Sequence, residues 1–336
     1  MTTKDRKVLI TGSTGYIGSA LATLLTANGW HIKTFDTQHF GNSIADLPNS
    51  EHVVGDILDF NALANAMGDC TDVVHLAGIV TDELVDMNHD YGRRVNVDGT
   101  MNTIMACSAQ NIPRLIFASS SSVYGTAAET GLPGETTTPL PKTEYAQQKL
   151  EGERLVIAYG QTRGRTSAAV RQATAMGPAP RMRLDTVVNV FSKQAYFDQL
   201  LTPFGGDQYR SNVHVDDAAR LYETLLLTKR EFINGEVFNL TDSNMPVGDI
   251  ANAVAEAYAE HSGKKAKVVI KDVVDTRSYR LDGSYVQRQL GFETTKGVYA
   301  AALDNFRFFD TGAIGDPNDS LYVNNKRMAS IMEANK

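Results

Sequence analysis

The sequence predicts an α/β protein, a doubly wound parallel sheet followed by a smaller mixed α/β lobe. Three observations lead there. Short apolar segments alternate with helical stretches through the first half of the chain, and a glycine-rich turn joins the first such pair. Beyond Arg171 the alternation becomes irregular, and Pro178, Pro180 and Pro203 punctuate the chain. Strands that alternate with helices pair in parallel, because each crossover helix returns the chain to the same end of the sheet.

The elements follow in order. Residues 8–11 are a short apolar strand. Residues 16–28 read as a helix with Ile17, Leu21, Leu24 and Leu25 on one face, stopped by Asn28-Gly29. Residues 31–36 are the second strand, and 53–54, 73–76 and 115–118 read as further buried strands. Helical patterns cover 59–67, 91–109 and 144–159. A helix from Asp216 and a strand at 237–240 return to the first domain. The expected division is a first domain of residues 1–174 plus 212–243, and a second lobe of 175–211 plus 244–330. The last dozen residues are polar and read as a loose tail.

Bulk properties narrow the function. Of 336 residues, 42% are hydrophobic, enough for a large core. A net charge of −7 argues against a general nucleic-acid or membrane-surface binder, since both need a basic face. Two cysteines, Cys70 and Cys107, are too few for a disulfide framework and suit a reducing compartment. With no apolar signal core and no bilayer-length stretch, the expected location is the cytoplasm. The histidines His75 and His214 lie at strand ends without metal-site spacing, so no metal is expected.

The run 11–18, TGSTGYIG, places Gly12, Gly15 and Gly18 three apart between a strand and a helix. Glycine permits the tight turn, a close approach to a pyrophosphate and close helix–sheet packing. The helix N-terminus then offers N–H groups and partial positive charge to phosphate. Asp36 ends the second strand, where an acid accepts from both ribose hydroxyls and repels a 2′-phosphate. NAD is therefore expected over NADP. Asp56 and Ile57 follow the third strand, within reach of an adenine.

Tyr145 and Lys149 are four apart in a helical segment and share one face. An ammonium beside a phenol is expected to lower the phenol's pKa. Residues 119–125, SSSSVYG, bring hydroxyls to the end of a core strand, where they face the same cleft.

With these motifs the chain resembles the extended short-chain dehydrogenase/reductase family, particularly nucleotide-sugar epimerases of the UDP-galactose 4-epimerase type. The resemblance also runs through GDI at 55–57, HLAG at 75–78, VNVDGT at 95–100, YAQQK at 145–149, GPAPRMRLD at 177–185, HVDD at 214–217 and SYRLDGSYVQRQLGF at 278–292. It implies a Rossmann-like fold and picks Ser120, four residues before the tyrosine of VYG, as the catalytic serine beside Tyr145 and Lys149. It extends the cofactor set to Tyr16, Ile17, Leu76, Ala77, Gly78 and Asn96. It implies a nucleotide-diphosphate sugar held by Ser121, Ser122, Thr174, Arg183, Asn189, Arg210 and Arg277, and a homodimer paired through residues 91–109 and 144–160. The implied chemistry is hydride transfer to NAD and back, with Tyr145 as acid and base.

The neighbours of Ser120 bear on subclass. Family dehydratases, decarboxylases and 3,5-epimerase-reductases carry acids or a cysteine there, whereas this chain has Ser121 and Ser122. A serine hydroxyl is a poor general base. Epimerisation at C4 is the expected reaction. An NAD-dependent dehydrogenase or reductase of a sugar or other small alcohol is the alternative, and a catalytically silent NAD-sensing module is a third reading.

Overall fold

The structure is a computed structural model that describes residues 5–272 and 278–334. Its strands are β1 (Lys7–Thr11), β2 (His31–Asp36), β3 (Ser50–Val54), β4 (Asp72–His75), β5 (Arg114–Ser120), β6 (Thr166–Gln172), β7 (Thr174–Met176), β8 (Leu200–Leu201), β9 (Tyr209–His214), β10 (Glu236–Leu240), β11 (Ser243–Pro246) and β12 (Lys267–Val268). Seven of them form one sheet in the order β3-β2-β1-β4-β5-β6-β10, and every pair is parallel. The predicted doubly wound sheet is therefore present. The chain order reverses between β1 and β4, and in such sheets a ligand crevice opens at that point.

Helices cover both faces, so the central strands are apolar on both sides rather than alternating. In β1, Val8 and Ile10 point into one core with Leu21, Leu25 and Trp30, while Leu9 points into the other with Phe35, Met67 and Val73. The second lobe has its own core, in which Met182, Leu184, Val188 and Phe191 pack with Ile250, Val254, Tyr258 and Phe306. Between the lobes, β7 pairs in parallel with β9, and β9 runs antiparallel to β11.

Two expectations change. The single helix expected over 91–109 is broken into a helix His89–Arg93, a π-helical turn Arg94–Asp98 and a helix Gly99–Ala109. Asn96 sits on that wide turn and spends its side chain on Ile79, accepting from its N–H (2.8 Å) and donating to its carbonyl (3.0 Å). π-turns concentrate where such a local demand overrides the regular ladder. The loose tail is instead a helix, Asn324–Ala334. Its polar composition hides an apolar stripe, Met328, Ile331 and Met332, which packs into the same core as Phe35 and Phe117.

His75 bridges Thr11 Oγ1 (2.7 Å) and Thr100 Oγ1 (3.0 Å) inside the sheet, a structural position. Among the described residues no cluster of three or more His, Cys, Asp or Glu could hold a metal, and no helix is long and apolar enough to cross a membrane.

Candidate active site

A cavity of about 860 Å³ opens at the carboxyl ends of the central strands and continues into the second lobe. Its cofactor half is built by the glycine turn. Gly12 has φ +70°, and a Cβ there would fall 2.6 Å from the Ala77 backbone nitrogen. A Cβ on Gly18 would lie 2.1 Å from the Gly12 carbonyl oxygen, so the helix Tyr16–Ala27 can start this close to β1 only with glycine. That helix has no side-chain cap and no acid in its first turn, which leaves its N-terminal charge for an anion.

Gly12, Gly15, Tyr16, Ile17, Gly18, Asp36, Asp56, Ile57, Leu76, Ala77 and Gly78 all line the cavity. Asp36 is held from both sides, its Oδ2 accepting from the Thr14 N–H (3.0 Å) and its Oδ1 from the Gln38 N–H (2.7 Å). Asn96, expected to touch cofactor, does not line the cavity. Its side chain is committed to Ile79 and to Gln148 Oε1 (2.9 Å) and lies behind Gly78.

Ser120, Tyr145 and Lys149 line the same cavity. The helix Glu144–Gly160 begins at Thr143, whose side chain caps the Ala146 N–H, and the 3.6-residue period then stacks Tyr145 and Lys149. Ser120 ends β5, and its hydroxyl is near enough to the Tyr145 phenol to lower that group's pKa. Ser120 Oγ also accepts from the Ser122 N–H (3.2 Å) and hydroxyl (2.9 Å). Lys149 Nζ donates to the Ala118 carbonyl (2.9 Å) and sits 5.0 Å from the Phe117 ring centre.

The expected lowering of the Tyr145 phenol by Lys149 is absent from this structure. Burial pushes Tyr145 up to about 12, only partly offset by the Ser120 hydroxyl; the charges acting on it are those of Asp82, which raises it, and Arg183, which lowers it. Burial also drives Lys149 down to about 8. Desolvation outweighs pairing because both groups are enclosed.

In the other half of the cavity, Ser121, Ser122, Thr174, Arg183 and Arg210 form part of the lining. Thr174 Oγ1 meets Tyr279 OH at 3.2 Å, and the Arg210 guanidinium lies 5.2 Å from the Tyr279 ring centre. Arg183 Nε donates to Asp185 Oδ1 (2.6 Å). Asn189 departs from its expected role, because it is fully buried under the cavity floor. Its Oδ1 accepts from the Gly177 N–H (2.9 Å) and from Asn305 (3.0 Å), and its Nδ2 donates to Tyr16 OH (2.9 Å) and the Arg183 carbonyl (2.8 Å). Those four bonds leave it nothing for a ligand. Arg277 lies outside the described residues.

The sequence reading missed Asp82, Tyr279, Asn324 and Met328, all of which line the cavity. Asp82 Oδ1 is buried with no hydrogen-bond partner among the described residues. The preceding Thr81 holds a φ of 94°, a strained value for a β-branched residue. Asp82 is four residues past the HLAG motif at a strand end, a local signal that marked the segment but not the side chain.

The NAD dependent epimerase/dehydratase family matches residues 8–241. The chain belongs to this family. Its relatives include the dTDP-glucose 4,6-dehydratase of Streptomyces niveus, 25% identical over 301 residues, which cover 85% of this chain and 87% of that protein. Among solved structures, the UDP-glucuronic acid 4-epimerase of Bacillus cereus in complex with UDP-glucuronic acid and NAD is 27% identical with a TM-score of 0.78, covering 91% of this chain and 99% of that one. MoeE5 in complex with UDP-glucuronic acid and NAD is 26% identical with a TM-score of 0.79 over the same shares.

The cofactor of this epimerase/dehydratase family is NAD, and the residues here fit it. The uncapped helix N-terminus suits a diphosphate, the glycines clear its approach, and the immobilised Asp36 carboxylate suits a ribose diol.

Proposed function

We propose that the protein interconverts the C4 epimers of a nucleotide-diphosphate sugar. What supports this is the convergence of Ser120, Tyr145 and Lys149 in the cavity that also holds the dinucleotide turn, with hydroxyls rather than acids following Ser120. Bound NAD supplies a hydride acceptor that is also the donor on return. Tyr145 takes the proton of the sugar hydroxyl as a phenolate and gives it back as a phenol; positive charge beside the ring is what would bring its raised pKa into range. Ser120, which lines the cavity with that phenol, orients the reacting oxygen. Lys149 adds a positive charge on the same helix face and anchors to β5 through Ala118. Elimination of water needs an acid–base pair beside the reacting carbons, and Ser121 and Ser122 supply none.

Arg183 and Arg210, with Ser121, Ser122 and Thr174, are the residues proposed to hold the sugar nucleotide, because guanidinium suits phosphate geometry. Two solved relatives, 26% and 27% identical, are complexes with UDP-glucuronic acid and NAD. The second lobe, residues 175–211 plus 244–330, is assigned to the sugar. The protein is read as a cytoplasmic homodimer that pairs through residues 91–109 and 144–160, and Met101 and Met105 stand exposed on the first of these. Sedimentation at working concentration checks the dimer, and a monomer there refutes it.

Proton NMR of the purified protein with NAD and a panel of UDP-, GDP-, CDP- and dTDP-sugars tests the activity. The expected result is a 4-epimer without accumulating NADH. Net NADH instead indicates a dehydrogenase, and loss of water from the sugar indicates a dehydratase.

A further inference from the structure

Residues beyond Asp310 lie outside the region that the family matches, yet they fold back onto the cofactor half. The dinucleotide groove has two rims, the turn after β2 and the segment after β4, and the helix Asn324–Ala334 bridges them. On the first rim, Arg327 Nε donates to the His39 carbonyl (2.7 Å). On the second, Asn325 Nδ2 donates to Glu83 Oε2 (3.1 Å) and Thr81 Oγ1 donates to Asn325 Oδ1 (3.2 Å).

The start of the helix is tied down as well. The Asn324 N–H donates to Asp185 Oδ2 (2.7 Å), and Asn324 Oδ1 accepts from Arg181 Nη2 (2.6 Å). Arg181 is thereby stacked 4.0 Å from the Phe40 ring centre. Its Nε–H is buried and has no acceptor among the described residues. Arg181, Phe40, Asn324 and Met328 all line the cavity together with Asp36. Met328 is buried, so the helix is seated by apolar packing as well as by its polar ties.

We infer that the helix Asn324–Ala334 is the outer wall of the NAD site over its adenosine half, and that Asn325 and Arg327 set how long the cofactor stays bound. The inference rests on the family's cofactor and goes beyond the epimerase reading. A wall tied to both rims must loosen before NAD leaves. Such retention suits a reaction that restores NAD in every turnover, whereas an enzyme that trades NAD for NADH each cycle is slowed by it.

The test is the NAD dissociation rate of the full chain without sugar, followed by fluorescence after mixing with excess competing nucleotide. In an Asn325→Ala, Arg327→Ala double variant the rate should rise by at least about tenfold, the loss expected from one charged hydrogen bond. Arg327→Lys, which keeps a donor for the His39 carbonyl, should stay close to the parent. Amide hydrogen exchange on the unaltered protein gives a second measurement that does not depend on the variant folding: NAD should slow exchange in residues 324–334. A dissociation rate within about twofold of the parent in the folded variant, or exchange in 324–334 that NAD does not alter, overturns the inference. Neither readout involves sugar turnover, so failure of the epimerase reading leaves this test intact.

Discussion

Glu153 and Arg171 form a two-bond ion pair inside the protein, Nη2 to Oε1 at 2.6 Å and Nε to Oε2 at 3.0 Å. Glu153 lies on the helix that carries Tyr145 and Lys149, and Arg171 lies on β6. Glu153 Oε2 also accepts from Ser119 Oγ (2.6 Å), next to Ser120, and Arg171 Nη1 donates to Tyr124 OH (2.8 Å) in the turn that follows. The pair therefore joins the helix, the end of β5 and the turn after it into one polar unit.

Removing one partner from this pair strands a buried charge. Glu153→Ala should cost about 3–5 kcal/mol, read as a lower urea midpoint. Exchanging both residues for apolar side chains, Glu153→Leu with Arg171→Met, should recover most of that loss, because the pair's mutual attraction largely offsets its own desolvation. Equal losses in the single and double variants would show that Ser119 and Tyr124, rather than the pair, carry the stability.

Tyr145→Phe deletes the phenol oxygen and keeps the ring in its enclosed place. Turnover of the sugar should fall by roughly 10²–10⁴-fold, the usual contribution of a positioned acid–base group. A loss smaller than about tenfold assigns proton transfer to another group, with Asp82, whose buried Oδ1 has no hydrogen-bond partner among the described residues, the first to examine.

The parts of this site legible in the sequence are those set by local chain geometry. Gly12, Gly15 and Gly18 define a turn whose spacing is its own signal, and Asp36 is fixed by where a strand ends. Tyr145 and Lys149 share a face because a helix has 3.6 residues per turn. Asn189 and Asn96 look alike in sequence to ligand-facing amides. Only the folded chain shows their amide groups satisfied by Gly177, Tyr16, Ile79 and Gln148. Asn324 and Met328 reach the cavity by a return of the chain from far outside the motif region, and no short-range pattern encodes that return. The raised pKa of the Tyr145 phenol is hidden from the sequence for a related reason. Pairing is visible as a spacing, whereas the depth of burial that outweighs it is a property of the whole fold.

Lys149 sits buried with its pKa lowered from the ordinary 10.5 to about 8. Between those values the unfolded chain holds a proton that the folded chain has released, so this group makes stability rise with pH across that window. Below about 8 the folded protein carries the full penalty of a buried ammonium, on the order of 3 kcal/mol for a shift of that size. Lys149→Met should therefore raise the melting temperature of the cofactor-free protein at pH 7, and the gain should fade as the pH approaches 10.5. A gain that is the same at both ends of the range would place its origin in packing instead of charge.

Asp36 tests cofactor choice directly. Its carboxylate is immobilised by the Thr14 and Gln38 N–H groups, so it cannot swing away from a 2′-phosphate, and it meets a ribose diol already oriented. Asp36→Ala removes the acceptor and the repulsion together. NAD affinity should weaken by roughly tenfold or more, the scale of one hydrogen bond to a charged group. NADP should weaken less or tighten, because a charge of nearly −2 no longer faces a fixed anion. Calorimetric Kd values for both dinucleotides give the ratio, and an unchanged ratio would mean that Asp36 only braces the turn between β1 and its helix.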